Sequence, residues 1–386
     1  MKKLLSTLLC TMLIIAFTTC CGIMHKFVDV RAEQTFDLTA KSALLIDYDS
    51  NTIIFEKDKN KKLPIASMVK LMTIYITLDS INRGELVLDQ KVTTSENASG
   101  MGGSQVFIDP YEEYTVGDLL KSVIMASAND ASVALAEAIS GSESVFVDLM
   151  NSTAKQIGMT NTLYCNSTGL PAPEQYSTAE DCAILLKKLI SFDQYHKFSN
   201  IWMDELCHPS GRKTELVNTN KMIRYYDGCD SGKTGSTSEA GYCLSASALR
   251  NNMRLISVII GAKSGNDRFK ESTLLLNYGF ANYQNKQIIN KEVVLKEIDA
   301  KRCKEKTAQI VATEDFFAFD KKGASSSYKV DYELPEYLLK AKAGDVVGRV
   351  IISKDGNIVK IINLTVKTSL TALGFVDNFK MITENW

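Results

Sequence analysis

The chain has 386 residues, 45% of them hydrophobic and 23% charged, so it can bury a full core and is neither disordered nor of low complexity. Its 44 basic and 45 acidic residues give a net charge of −1, which offers no overall positive field for a nucleic acid. Only three His are present, at His25, His196 and His208, which argues against a His base or a His-rich metal site. We expect no metal and no other cofactor, and we expect His196 and His208 at the surface.

The first 32 residues have the order of charged and apolar segments that export requires. Lys2 and Lys3 precede the uncharged run 4–24, and Val30-Arg31-Ala32 offers a cleavage site of the small-x-small type. This pattern predicts a signal peptide over residues 1–32 and an exported protein. An uncleaved anchor helix and a lipid attached at a cysteine of this segment are the alternatives.

Removal of that segment would leave six cysteines with long, irregular spacings and no C-x-x-C motif, which disfavours a zinc or redox site. A domain of this size does not need disulfides for stability. We therefore predict free and largely buried thiols. The six are Cys165, Cys182, Cys207, Cys229, Cys243 and Cys303.

Residues 36–283 have the pattern of one mixed α/β unit. Two short apolar runs around Asp49-Ser50-Asn51 predict a hairpin, and later runs with a period of 3.6 predict helices. The predicted elements are strands Ala43–Tyr48 and Thr52–Glu56, helices Ala66–Ile81, Thr115–Met125, Ala131–Ile139, Ser144–Ile157 and Thr178–Ile190, strands Gly241–Ala246 and Met253–Gly261, and helix Arg268–Tyr278. This order predicts an antiparallel sheet whose first and last strands flank a helical insertion, with Thr178 as an N-cap.

The pattern changes after residue 287. Short alternating runs joined by turns, among them 354–357, predict a small all-β domain over residues 287–368 that acts as a spacer or packing module. Apolar residues then recur at helical spacing up to Trp386, which predicts an amphipathic helix over residues 370–386. Such a stripe can pack in the core or make peripheral contact with a membrane, and both alternatives stay open.

A serine and a lysine open the first long predicted helix. Ser67 and Lys70 are three residues apart, which places the hydroxyl and the amine on one helix face. A lysine in a dry cleft near another cation can lose its proton and activate a serine without histidine. The same S-x-x-K spacing starts at Ser152, Ser210 and Ser326, so this motif alone has little specificity.

Two further motifs follow in the chain. The Ser-Ala-Asn sequence from Ser127 to Asn129 lies between two predicted helices, where a loop can direct a hydroxyl and an amide into a cleft. A single Lys-Thr-Gly sequence begins at Lys233, after the turn-like residues 227–232 and just before a predicted strand. A cation, a hydroxyl and a glycine there can hold a carboxylate while a substrate backbone approaches closely. The three motifs in this order predict a serine-based active site.

In these motifs the chain resembles the penicillin-interacting serine enzymes, and among them the low-molecular-weight D-alanyl-D-alanine carboxypeptidases. The likeness extends to Pro-Ile-Ala-Ser-Met-Val-Lys-Leu-Met-Thr at 64–73, Ser-Ala-Asn-Asp-Ala at 127–131 and Gly-Lys-Thr-Gly-Ser-Thr at 232–237. It covers essentially the whole chain. The resemblance implies an α/β catalytic domain of the penicillin-binding transpeptidase and β-lactamase type, with an antiparallel sheet and a helical insertion, followed by a small all-β domain.

The resemblance also implies a role for each motif residue. Ser67 would be the acyl-enzyme nucleophile, Lys70 its base, and Ser127 the relay of a proton to the leaving amine. Asn129 would bond the substrate backbone, and the N–H groups of Ser67 and Ser236 would form the oxyanion hole. The residues around the terminal carboxylate of the substrate would be Lys233, Thr234, Gly235 and Arg268.

The implied activity is removal of the terminal D-Ala from peptidoglycan stem pentapeptides, at the outer face of the cytoplasmic membrane or in the cell wall space, with covalent inhibition by β-lactams. Class A β-lactamases carry an S-D-N motif and an E-x-x-L-N loop, whereas residue 128 here is Ala and no E-x-x-L-N occurs. Efficient β-lactam hydrolysis is therefore disfavoured. The alternatives are a β-lactamase or esterase on the same fold, and a catalytically silent penicillin-sensing or wall-binding protein.

Overall fold

A five-stranded antiparallel sheet organises the first part of the chain. The computed structural model describes residues 36–324 and 326–374, and the predicted signal peptide lies outside them. Leu38 and the described residues after it belong to one compact unit. The strands are β1 (Ser42–Asp47), β2 (Ile53–Lys57), β3 (Cys229–Thr237), β4 (Gly241–Arg250) and β5 (Met253–Ala262), in the order β2-β1-β5-β4-β3.

The central strands are apolar on both faces because helices cover both sides of the sheet. Leu44 and Ile46 belong to a core shared with the helical insertion. A side chain at Gly279 would meet Leu255 and Leu45, so those residues face the last helix of this unit instead. Alternate residues of β1 thus point to different layers, as a strand requires.

Six long helices complete this unit. They are α1 (Lys70–Asn82), α2 (Val116–Met125), α3 (Asn129–Ser140), α4 (Glu143–Gln156), α5 (Ala179–Ile190) and α6 (Gly265–Asn282). Shorter elements are the helices Glu96–Ser99, Asp193–Ser199 and Met222–Tyr225, and two antiparallel strand pairs, Lys91–Thr93 with Glu113–Thr115 and Met203–Cys207 with Lys213–Val217. All of the helices and strands predicted for residues 36–283 are present, and Thr178 caps α5 as predicted, by accepting the backbone N–H of Asp181.

The prediction was wrong about the Lys-Thr-Gly motif. Residues 229–237 form a strand, so Lys233 lies in the middle of β3 rather than just before a strand. The strand is at the edge of the sheet, which leaves one side of its backbone free of a neighbouring strand.

The second part of the chain is all β. Its strands are β6 (Tyr283–Ile289), β7 (Lys296–Ala300), β8 (Thr307–Ala312), β9 (Phe316–Lys321), β10 (Tyr328–Glu333), β11 (Tyr337–Leu338), β12 (Val346–Lys354) and β13 (Asn357–Val366). Six of them form a sheet in the order β10-β12-β13-β8-β7-β11, while β6 pairs with β9. The latter pair is absent from the sequence prediction.

Residues 370–374 extend this β layer through bridges from Leu370 to Ala341 and from Ala372 to Cys303, so this part of the predicted terminal helix is not helical. The rest of that predicted helix lies outside the described residues. Among the residues that are described, no helix is both long and apolar enough to cross a membrane.

Candidate active site

Ser67 lies on a short 3-10 turn, Ala66–Val69, that leads directly into α1. Ala66 has a φ of +49°, which is costly for a residue other than glycine. Two glycines press against this turn. A Cβ at Gly235 would lie 2.6 Å from the carbonyl oxygen of Ile65 and 2.9 Å from the Ser67 nitrogen, and one at Gly169 would lie 2.1 Å from the Ala66 oxygen. The surrounding backbone therefore holds Ser67 in a defined position directly after the strained residue Ala66.

Lys70 is completely buried, and its Nζ lies 3.2 Å from the Ser67 Oγ. The same amine donates to the carbonyl of Thr168. Burial lowers the pKa of Lys70 well below its usual value, the charge of Lys233 lowers it further, and Asp130 opposes the shift. A lysine in this environment can be neutral and accept a proton from an adjacent hydroxyl.

A hydrogen bond joins the Ser-Ala-Asn motif to the Lys-Thr-Gly motif. Ser127, on the loop between α2 and α3, is 4% exposed and has a φ of +62°. Lys233 donates to its Oγ at 2.7 Å. Burial of Lys233, together with the charge of Arg268, lowers the pKa of Lys233 to about 7. The site therefore contains two buried lysines, each with its amine on a serine hydroxyl.

Asn129 lies at the start of α3 and is 3% exposed. Its Nδ2 donates to the Gly102 carbonyl at 2.6 Å, and its backbone N–H donates to Ser104 at 2.7 Å. Among the described residues its Oδ1 has no hydrogen-bond partner although it is buried. That oxygen can accept an N–H from a bound peptide.

The remaining predicted residues lie along β3. Thr234 is buried next to Lys233, while Ser236 is exposed on the strand edge. Arg268 extends from α6 and donates to the Gly235 carbonyl at 3.0 Å. The structure thus joins Ser67 to Lys70, Ser127 to Lys233 and Arg268 to Gly235 by direct contacts, and Gly235 lies against the turn that carries Ser67.

Sequence reasoning missed two contributors. Asp130 is buried and accepts the backbone N–H groups of Val106 and Ile108, which fixes the loop beside Asn129. Thr168 contributes only a backbone carbonyl, so its residue type carries no signal. Asp130 directly follows the Ser-Ala-Asn motif, and that adjacency was the available clue.

The two histidines of the described residues make no hydrogen bond to the motif residues. His208 is buried and hydrogen-bonded to Tyr114 and Thr214, so its predicted surface position was wrong. His196 is partly buried and contacts the Ile190 carbonyl. In the described ranges, no group of three or more His, Cys, Asp or Glu side chains could hold a metal ion. The six cysteines among the described residues are free and four of them are buried, which confirms the prediction of free and largely buried thiols.

A serine on a strained turn, two buried lysines and a second serine, on this sheet and helical insertion, define the class of active-site serine enzymes that react with penicillin. The sequence matches the family model described as D-alanyl-D-alanine carboxypeptidase over residues 29–264. It also matches the model of the penicillin-binding protein 5 C-terminal domain over residues 283–372. The chain therefore belongs to the D-alanyl-D-alanine carboxypeptidase family of serine peptidases, and the predicted fold class is confirmed.

Individual relatives match the chain over 64% to 100% of its length. The D-alanyl-D-alanine carboxypeptidase DacF of Bacillus subtilis is 36% identical over 390 residues, which cover 100% of this chain and 99% of the relative. Penicillin-binding protein 5 of Haemophilus influenzae has a similar structure, with a TM-score of 0.69 at 33% identity, covering 88% of this chain and 99% of that one. Penicillin-binding protein D2 of Listeria monocytogenes in its ampicillin-bound form has a TM-score of 0.58 at 30% identity, covering 64% and 100% respectively.

Proposed function

We propose that this enzyme removes the terminal D-Ala from peptidoglycan stem pentapeptides through an acyl-enzyme on Ser67. The observation that carries the proposal is the contact of 3.2 Å between the Ser67 hydroxyl and the fully buried amine of Lys70. A buried lysine without histidine nearby is a base suited to activate a serine.

In the acylation step, neutral Lys70 accepts the proton of the Ser67 hydroxyl while Oγ bonds to the carbonyl carbon of the penultimate D-Ala. The oxyanion that forms accepts the N–H groups of Ser67 and Ser236. The near contact of Gly235 with the Ser67 turn supports this pairing, because it brings the backbone of β3 beside the nucleophile.

The C–N bond then breaks, and the leaving amine of D-Ala takes a proton that passes from Lys70 through Ser127. The Lys233 ammonium polarises Ser127 through their bond of 2.7 Å. Lys233 and Thr234 bind the terminal carboxylate and Asn129 binds the peptide backbone. Arg268 adds positive charge from behind β3. Water hydrolyses the ester and restores Ser67.

A β-lactam presents a strained amide and a carboxylate in a similar arrangement, so we propose that it acylates Ser67. One relative is seen in an ampicillin-bound form.

We further propose export by residues 1–32, a catalytic domain over 36–283, a β domain over 287–368, and peripheral membrane contact through the segment that ends at Trp386.

Fluorescent penicillin labelling of the full chain tests the nucleophile. We expect labelling of the wild type, loss of labelling in Ser67→Ala and Lys70→Ala, and normal labelling in Ser152→Ala, because Ser152 has the same S-x-x-K spacing on an exposed helix face. An unlabelled wild type, or a labelled Ser67→Ala, would contradict the proposal.

Release of D-Ala from a synthetic pentapeptide tests the substrate. Steady turnover of nitrocefin without D-Ala release would instead favour the β-lactamase or esterase alternative. Penicillin labelling without turnover of either compound would favour a silent penicillin-sensing protein.

A further inference from the structure

The segment around Ser167 joins the first two catalytic motifs. The Ser167 carbonyl accepts the Thr73 hydroxyl and the Ser132 hydroxyl, each at 2.8 Å. Thr73 is three residues after Lys70 on α1, and Ser132 is three residues after Asn129 on α3. Ser167 is fully buried, so these bonds are shielded from water. The next carbonyl along the chain, that of Thr168, is the one that accepts the Lys70 amine.

A single carboxylate oxygen holds this segment in place. The Glu143 Oε1 accepts both the Ser167 N–H, at 2.9 Å, and the Ser167 hydroxyl, at 2.6 Å. Glu143 is the first residue of α4, whose N-cap Ser142 accepts the N–H of Val145. Hydrogen bonds to a charged acceptor are stronger than neutral ones. Ser167 thus donates both of its hydrogen bonds to a carboxylate on α4, and its carbonyl accepts hydroxyl groups from α1 and α3.

We infer that Glu143 is a positioning residue for Lys70, because it fixes Ser167 and thereby aims the Thr168 carbonyl at the Lys70 amine. This inference rests on the proposed function. A neutral amine has two N–H groups and one lone pair. When the Thr168 carbonyl accepts one N–H, the rotation of the amine is restricted and its lone pair can face the Ser67 hydroxyl. Small errors in such an alignment can cost a large factor in rate.

The same segment also supports the nucleophile. Gly169 follows Thr168, has a φ of +81°, and lies so close to Ala66 that no side chain would fit there. Displacement of Ser167 would therefore disturb the turn that carries Ser67 as well as the amine of Lys70. Glu143 does not contact substrate in this scheme.

Glu137 provides a matched control. It also lies on the helical insertion, is also partly buried, and its carboxylate accepts two bonds from a distant segment, from the Ser95 hydroxyl at 2.6 Å and the Asn97 amide at 2.9 Å. The bonds of Glu137 to Ser95 and Asn97 do not lead to Lys70. Comparison of the two variants thus separates the effect of losing any carboxylate that accepts two hydrogen bonds from the effect of losing the Glu143 carboxylate.

The experiment measures the rate of acylation by fluorescent penicillin and the kcat and KM for a pentapeptide, across pH, in the full chain. We expect Glu143→Ala to lower the acylation rate and kcat by roughly tenfold or more, with KM within about twofold, because the carboxylate-binding residues on β3 are not tied to Ser167. Glu143→Gln keeps an acceptor oxygen and should retain most of the rate. Glu137→Ala should act as the wild type.

The pH profile adds a readout that a general loss of stability would not change. The charged groups acting on Lys70 are Lys233 on β3 and Asp130 on α3, and none of the variants alters them. The Thr168 carbonyl accepts a hydrogen bond from Lys70 and so favours the ammonium form of Lys70. Displacement of this carbonyl in Glu143→Ala should therefore lower the pKa of Lys70 and move the acidic limb of the pH–rate profile toward lower pH. Glu137→Ala should leave that limb in place.

If the wild type is acylated and folded Glu143→Ala is acylated at the same rate, this inference alone is overturned. An equal loss of acylation rate in Glu143→Ala and Glu137→Ala would also overturn it. No acylation of the wild type would overturn the proposed function and this inference together. If Glu143→Ala does not fold, Ser167→Ala removes one of the two bonds and should give an intermediate loss of rate. An unchanged rate in Ser167→Ala would then overturn the inference.

Discussion

Lys70 and Lys233 illustrate how burial can assign different roles to two residues of one type. The amine of Lys70 contacts a hydroxyl and a carbonyl, and so does that of Lys233. Burial lowers the pKa of both, and the Lys233 charge adds to the shift of Lys70. One amine can thus be neutral and act as a base while the other carries the charge that attracts a carboxylate.

The titration of Lys233 leads to a prediction about pH. Its pKa of about 7 means that the charge is present below pH 7 and is lost as the pH rises above it. Binding of a carboxylate should therefore weaken above pH 7, by up to roughly tenfold in KM per pH unit. Lys233→Arg keeps its charge in this range and should show a flatter profile at a lower overall rate. Pentapeptide KM measured from pH 6 to 9 checks this, and an equally steep profile in Lys233→Arg would contradict it.

Single residues also show where sequence reasoning ends. Ser67, Lys70 and Lys233 belong to short motifs, so their spacing carries information that is independent of the fold. Glu143 and Thr168 act through contacts between segments 24 and 98 residues apart. No local pattern distinguishes Glu143 from other acidic residues at helix starts.

Among the elements, the helices were the most predictable because their starts carry a local signal. Thr115, Ser142, Thr178 and Ser264 each accept a backbone N–H three residues further on. The strand β3 was not predicted because Asp, Ser and Gly, which are rare in strands, occupy its first half. The intrinsic strand preference of these residues thus gives the wrong prediction at a functional position, where small residues allow close approach to the nucleophile.

That close approach leads to a prediction for Gly235→Ala. The new methyl group would lie 2.6 Å from the Ile65 carbonyl and 2.9 Å from the Ser67 nitrogen, both in backbone that cannot move cheaply. The strand and the Ser67 turn should separate, and penicillin acylation should fall by about 100-fold. Gly265→Ala is the control, because its Cβ would make only an ordinary contact at 3.5 Å with Tyr242. Equal rates in the two variants would show that the spacing is not critical.

At the scale of the whole molecule, the chain has separate cores. One core joins the helical insertion to the sheet and includes Leu44 and Val258, and a separate core lies inside the β domain and includes Ile310 and Val350. The predicted site residues all belong to the first part. The pair β6 and β9 was missed because most of β6 is polar, and the stacking of Tyr283 on Phe319, at 5.1 Å, is a contact between distant residues.

The distribution of thiols tests this packing across both parts. Cys165 and Cys207 are exposed, whereas Cys182, Cys229, Cys243 and Cys303 are buried. Burial raises the pKa of Cys182 and of Cys229 to about 12, so they are also poor nucleophiles. In a chain that begins after residue 32, we expect a thiol reagent to titrate two cysteines rapidly in the native state and six after denaturation without reductant. Cys165→Ser and Cys207→Ser should each remove one rapid equivalent. Fewer than six thiols on denaturation would indicate a disulfide, and more than two rapid equivalents would indicate a looser core than the one described.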